Sequence, residues 1–167
     1  MKPKSARCLI LACGNTLRED DGVGPWLAAW AEERFAGEAA VCVVSRHQWT
    51  PELAEDVAHA ESAVFIDCAA NARPGSVQLA PVEPGGKAPG LATHHFGAAE
   101  LLSLSKELYG SLPRISLLLT IGAGSLELRE GLSSAVNEAL PEASLLLERT
   151  VQRLLANTAS WTQPHRA

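Results

Sequence analysis

The run Arg7 to Ala12 (RCLILA) is unbroken apolar sequence after its first residue and stops abruptly at Gly14-Asn15. A run this short and this uniformly apolar fits a strand buried on both faces, which requires a parallel sheet with helices above and below it. Val41 to Val44, Ala63 to Ile66 (AVFI) and Ile115 to Ile121 (ISLLLTI) repeat the pattern. Between them lie stretches with helical spacing. Pro25 to Phe35 carries Trp26, Leu27, Trp30 and Phe35, with Trp26 and Trp30 expected in the core at i, i+4. Thr50 caps a helix that starts at Pro51 and runs to Ala60. Phe96 to Leu108 forms the next helix, and Ser133 to Leu155 forms one helix or a pair broken near Pro141. The Pro- and Gly-rich stretch from Ala72 to Gly90 offers only Val77 to Pro81 as a short edge strand, read as a surface excursion. The expected fold class is therefore α/β. It is a three-layer, mostly parallel twisted sheet of about five strands with helices on both faces, its edge strand parallel or antiparallel.

The chain of 167 residues sets a prior of one domain. Residues 1–157 are assigned to that domain and 158–167, which lack periodicity, to a loose tail. Fourteen basic residues against nineteen acidic ones give a net charge of -5, and no Lys/Arg stripe forms, which argues against a nucleic-acid backbone as partner. No apolar stretch approaches the roughly 18 residues of a membrane span. The segment from Cys8 to Cys13 is too short for a secretory leader, so a cytoplasmic protein is expected. Cys8, Cys13, Cys42 and Cys68 include no C-x-x-C pair and each adjoins an apolar run, so they read as buried free thiols.

In sheets of this kind ligands sit beyond the carboxyl ends of the strands, so the residues just past each strand matter most. The first strand leads into Gly14-Asn15-Thr16-Leu17-Arg18-Glu19-Asp20-Asp21-Gly22-Val23-Gly24. This is neither G-x-G-x-x-G nor a P-loop, and its acids would repel a phosphate. Asp20 and Asp21 also suit a helix N-terminus, where the macrodipole favours negative charge. Asp67 comes directly after the third strand, where a carboxylate is costly unless paired or solvated. Thr93-His94-His95 precedes a helix. Asp21, Asp67 and His94 would share one edge of one sheet. Two carboxylates and an imidazole form a mixed oxygen–nitrogen set suited to nickel, zinc or manganese, with positions left for water or substrate.

GNTLREDDGVG resembles the N-terminal signature of the hydrogenase maturation endopeptidases, written loosely G-N-x-L-x-x-D-D/E-x-x-G. The resemblance continues through Phe65-Ile66-Asp67, through Thr93-His94-His95-Phe96-Gly97, and through Gly124-Ser125-Leu126-Glu127 with Gly131-Leu132-Ser133. It spans about residues 7 to 156, with the motifs in the family's order.

The resemblance implies a peptidase that removes the C-terminal extension of a nickel–iron hydrogenase large-subunit precursor after nickel insertion. It implies nickel-binding positions at Asp21, Asp67 and His94, with Asp21 and Asp67 also as the catalytic candidates. Asn15, Asp20, Trp49 and His95 are candidates for contact with the substrate. The nickel would be supplied by the precursor, and a surrogate divalent metal could sit there in the free protein, itself expected to be monomeric. The family's Gly-Gly-Thr-like turn after the second strand is replaced here by Arg46-His47-Gln48-Trp49-Thr50, which is expected to help select the partner, with Trp49 either an exposed anchor or packed under the second helix. Two other classes stand beside this reading: a nickel-dependent accessory chaperone that binds the precursor without cleaving it, and a small-molecule hydrolase or phosphorylase on a similar scaffold.

Overall fold

The structure is a computed structural model that describes residues 6–85 and 96–157. Five strands, β1 (Cys8–Cys13), β2 (Val41–Arg46), β3 (Ser62–Ala69), β4 (Val77–Pro81) and β5 (Ile115–Gly122), form one sheet in the order β2-β1-β3-β5-β4. The apolar runs pair with one another in parallel: β1 with β2 and with β3, and β3 with β5. Only β4 is antiparallel, at the edge against β5. This is the expected α/β class, with the orientation of the edge strand now fixed.

Four helices cover the sheet: α1 (Val23–Arg34), α2 (Ala54–His59), α3 (Ala98–Tyr109) and α4 (Ser134–Ala156). Alternation along the strands sends successive side chains to opposite faces. Ile10, Ala12, Val64, Ile66, Leu119 and Ile121 face α1 and α4, where Leu27, Ala31, Val136, Ala143 and Leu147 meet them. Leu9, Leu11, Ala63 and Phe65 face α2 and α3, meeting Val57, Leu101 and Leu102. Each fully buried Leu or Phe of these two cores contributes about 1.5–3 kcal/mol by leaving water.

Two sequence expectations are corrected, the end of the third strand and the place of Trp26, and the choice left open at Pro141 is settled as a single helix. The third strand does not stop at Ile66 but runs to Ala69, so Asp67 lies inside the ladder, opposite Thr120 of β5. A polar residue ends an apolar run without ending the backbone pairing. Pro141 does not break α4, which is continuous over 23 residues. Pro141 lies on the helix's exposed face, as does Asn137 one turn earlier, so the carbonyl that loses its intrahelical donor can be hydrated. Trp26 is not core: it is 40% exposed, because Leu27 and Ala31 take the inward-facing positions of α1. Cys8, Cys13 and Cys68 are buried free thiols as expected, and Cys42 is half-buried. Of the stretch from Ala72 to Gly90, residues 86–90 lie outside the described residues, as does the proposed tail, 158–167.

Candidate active site

The chain leaves β1 to the β2 side and returns through α2 to the β3 side, so its winding reverses between β1 and β3. At such a switch point the loops diverge and leave a crevice beyond the strand ends. Asp21 and Asp67 border it, Asp21 on the turn after β1 and Asp67 near the end of β3.

The loop after β1 is built to hold Asp21. Gly14 turns the chain at φ +152°, and a Cβ on it would collide with the Asp21 carbonyl oxygen, so no other residue fits. The Asn15 side chain accepts from Leu17 N–H (3.0 Å) and its backbone N–H donates to Asp21 Oδ2 (2.7 Å). The expected contact of Asn15 with substrate is thus joined by a clear structural task. A 3-10 turn over Glu19–Gly22 then leads into α1. Asp67 is held comparably, its Oδ1 accepting from Cys68 N–H at 2.8 Å. Both aspartates are half-buried. Their charges are felt by the same two thiols. Burial, then the charge of Asp67 and a hydrogen bond to it, then the charge of Asp21, push the Cys13 thiol far above its ordinary value. Burial, reinforced by Asp67, Asp21 and Asp20, pushes Cys68 up to about 12. Both thiols are thus held protonated at neutral pH beside the two carboxylates.

Asp20 has a different part from its neighbour. It is fully buried, and its carboxylate accepts from Gly124 N–H (2.7 Å), Ser125 N–H (2.9 Å), Ser133 N–H (2.7 Å) and the Ser133 hydroxyl (2.7 Å). Burial alone would raise its pKa, but the Ser133 hydroxyl and these backbone donors outweigh it and hold the carboxyl below its ordinary value. Asp20 therefore pins the β1 loop to the segment after β5 and to Ser133, the N-cap of α4. No surface remains for substrate, which corrects that expectation. It also explains the glycine of the Gly124-Ser125 motif: a Cβ at Gly124 would lie 2.8 Å from Ser133 Oγ and 3.4 Å from Asp20 Oδ2.

Glu19 reinforces the pin. It adopts φ 45°, is 6% exposed, and pairs through Oε1 with Arg129 Nη2 at 2.9 Å, while backbone bonds tie Leu17 and Glu19 to Arg129.

Of the two readings of Trp49, exposed anchor or packed residue, the structure shows the packed one. It is 3% exposed and stands edge-on against Phe65, with ring centroids 5.4 Å apart. Its indole N–H is buried and, among the described residues, has no hydrogen-bond partner. Trp49→Phe keeps the ring contact and removes that orphan donor, so it is expected to cost only about 1 kcal/mol in urea unfolding; a loss of about 3 kcal/mol or more would contradict the orphaned N–H. Arg46, His47 and Gln48 remain exposed beside it.

His94 and His95 lie outside the described residues, so the third expected ligand is not seen. Among the described residues, no three His, Cys, Asp or Glu side chains gather to hold a metal. Sequence reasoning missed Cys13 and Ser133. Ser133 stood in a motif without an assigned task, and Cys13 looked like one more apolar strand residue.

No protein-family model and no curated protein matches the sequence. Solved structures do match. The hydrogenase maturating endopeptidase HybD from E. coli superposes with a TM-score of 0.73 at 21% identity, over 88% of this chain and 93% of that one. The NiFe hydrogenase maturation protease HycI from Thermococcus kodakarensis KOD1 gives 0.65 at 25% identity, over 91% and 94%. HybD from Thermococcus kodakarensis, a protein of the same description, gives 0.65 at 26% identity, over 86% and 98%. This is the fold of the hydrogenase maturation proteases.

The likeness covers nearly the full length of those maturation proteases, so this chain matches their whole fold and not merely a shared half. Among the described residues, no helix is long and apolar enough to cross a membrane.

Proposed function

We propose that this chain is an endopeptidase that removes the C-terminal extension of a NiFe hydrogenase large-subunit precursor once nickel has been inserted. The observation that carries the reading is the pair Asp21 and Asp67, bordering the β1–β3 crevice of a maturation-protease fold. In this reading the nickel is part of the substrate. Asp21, Asp67 and His94 take positions in its coordination sphere, so a precursor without nickel lacks the group that docks it. The donor set fits: carboxylate oxygen and imidazole nitrogen suit a first-row divalent ion.

Hydrolysis then needs a water, a base and a polarised carbonyl. One of the two carboxylates takes a proton from the water, whose oxygen bonds to the scissile carbonyl carbon. As the tetrahedral intermediate collapses, the C–N bond breaks and the proton passes to the leaving amine. Nickel can supply the polarisation as a Lewis acid; alternatively the two aspartates share a proton as an acid–base pair. Exposed Arg46, His47 and Gln48, next to the same edge, are suited to selecting the partner. In the same reading the enzyme works in the cytoplasm, as a monomer before it meets the precursor, and a surrogate divalent ion can occupy its site at rest.

The test is intact-mass measurement of a purified precursor incubated with the chain, with and without nickel. The nickel-loaded precursor is expected to lose a C-terminal peptide and the nickel-free one to keep it. A stable complex with an unchanged precursor mass would instead identify a non-cleaving accessory protein.

A further inference from the structure

Cys13 ends β1 on the face that carries Leu9 and Leu11, and it is 9% exposed. By strand alternation Asp67 shares its face with Ala63 and Phe65, which belong to the same cluster as Cys13. The β1–β3 ladder pairs Leu11 with Phe65 and Ala12 with Ile66, and one further step sets Cys13 beside Asp67. The two side chains are therefore neighbours on adjacent parallel strands, pointing to the same side of the sheet. The register thus brings the Cys13 thiol within reach of the Asp67 carboxylate, whose charge and acceptor oxygens favour the protonated thiol. The same carboxylate receives Cys68 N–H on Oδ1. For packing alone, an apolar residue of similar size would fill the end of β1 equally well.

We propose that Cys13 is a positioning residue for Asp67: its S–H···O hydrogen bond, together with Cys68 N–H, fixes the rotation of the carboxylate about its Cβ–Cγ bond at the reactive edge. This rests on the processing reading above. A thiol is a weak donor, but an ionised acceptor strengthens the bond. Groups that orient a ligating carboxylate typically matter about 10–100-fold to the site they support.

The experiment compares the full chain with Cys13→Ala, Cys13→Ser and Cys8→Ala. Two quantities are followed: the carboxyl carbon resonance of Asp67 in aspartate-labelled protein, and cleavage kinetics on nickel-loaded precursor. Cys13→Ala is expected to move the Asp67 resonance and to lower kcat about 10–100-fold, with KM changed less than about twofold. Cys13→Ser, which keeps a donor, is expected to return both toward the wild type. Cys8→Ala removes the same sulfur from the other end of the strand and is expected to change neither. An unmoved resonance in Cys13→Ala, a moved resonance with kcat intact, or equal losses in Cys13→Ala and Cys13→Ser would each overturn the proposal. The carbon signal keeps two failures apart. A wild type that leaves the loaded precursor whole overturns the processing reading, whereas an Asp67 signal untouched by Cys13→Ala overturns this one.

Discussion

Asp20→Ala is expected to lower the free energy of unfolding by about 3 kcal/mol or more, a fall of roughly 6–12 °C in Tm for a chain of this size. The carboxylate is fully buried and accepts four hydrogen bonds from Gly124, Ser125 and Ser133. Truncation leaves those donors facing a cavity, and each unsatisfied buried donor costs about 1–3 kcal/mol, less whatever an entering water recovers. Asp20→Asn is no remedy, because an amide nitrogen cannot accept from the N–H groups that crowd Oδ2. The effect carries a pH signature. The folded pKa lies below the ordinary value of 3.8, so between the two the unfolded chain binds the extra proton. Stability from Asp20 is therefore fully present above pH 3.8 and is lost as the pH falls through the folded pKa. Chemical unfolding of wild type and Asp20→Ala at several pH values checks this. The gap between them should hold steady at neutral pH and narrow only below the ordinary carboxylate range. Equal stabilities at pH 7 would refute the pin.

That pin also marks where the sequence stopped being informative. GNTLREDDGVG announces a loop with acids, but nothing local says which acid turns inward. The choice is made by the backbone at Glu19, whose positive φ and pairing with the exposed Arg129 set the turn so that Asp20 enters the interior and Asp21 borders the crevice. The partners that make burial of Asp20 tolerable lie more than 100 residues away in the chain. Trp49 is a similar case. Its neighbours Arg46, His47, Gln48 and Thr50 are polar and exposed, so the local sequence leaves it open between an exposed anchor and a packed residue, and contacts with Phe65 of β3 and the Leu53–Val57 segment make it core. By contrast the strands were legible, since double-sided burial leaves a composition signal in each run. The bounds of β4, Val77–Pro81, are those read from the sequence, because Gly75 and Pro81 punctuate it. The end of β3 was not legible, because Asp67 interrupts the apolar signal while its backbone goes on pairing with β5. Cys13 could be recognised only once the strand order was known, since its neighbour Asp67 lies on a different strand.

Asp67→Asn is expected to reduce shortening of the nickel-loaded precursor by at least about 100-fold, the scale of a lost acid–base group. The substitution is chosen because it changes charge and little else. An asparagine keeps an oxygen that can accept from Cys68 N–H, the bond that Asp67 Oδ1 makes at 2.8 Å, and it keeps the volume of a half-buried strand position. Unfolding stability should therefore stay close to that of the wild type, and the loss can be assigned to chemistry at the site. The amide neither takes a proton from water at neutral pH nor binds a divalent ion as a carboxylate does, so both proposed mechanisms require the loss. His94→Ala separates docking from chemistry. If His94 serves only to meet the precursor's nickel, its loss should fall mainly on KM, whereas Asp67→Asn should fall on kcat as well. Intact-mass time courses at several precursor concentrations provide both numbers. Processing at the normal rate by Asp67→Asn would remove Asp67 from the chemistry, and normal rates in both variants would end the endopeptidase reading. A folded Asp67→Asn chain that still binds the loaded precursor but leaves its mass unchanged is the outcome the proposed function expects, since that reading gives Asp20 the task of holding the loop and Asp67 a part in the chemistry.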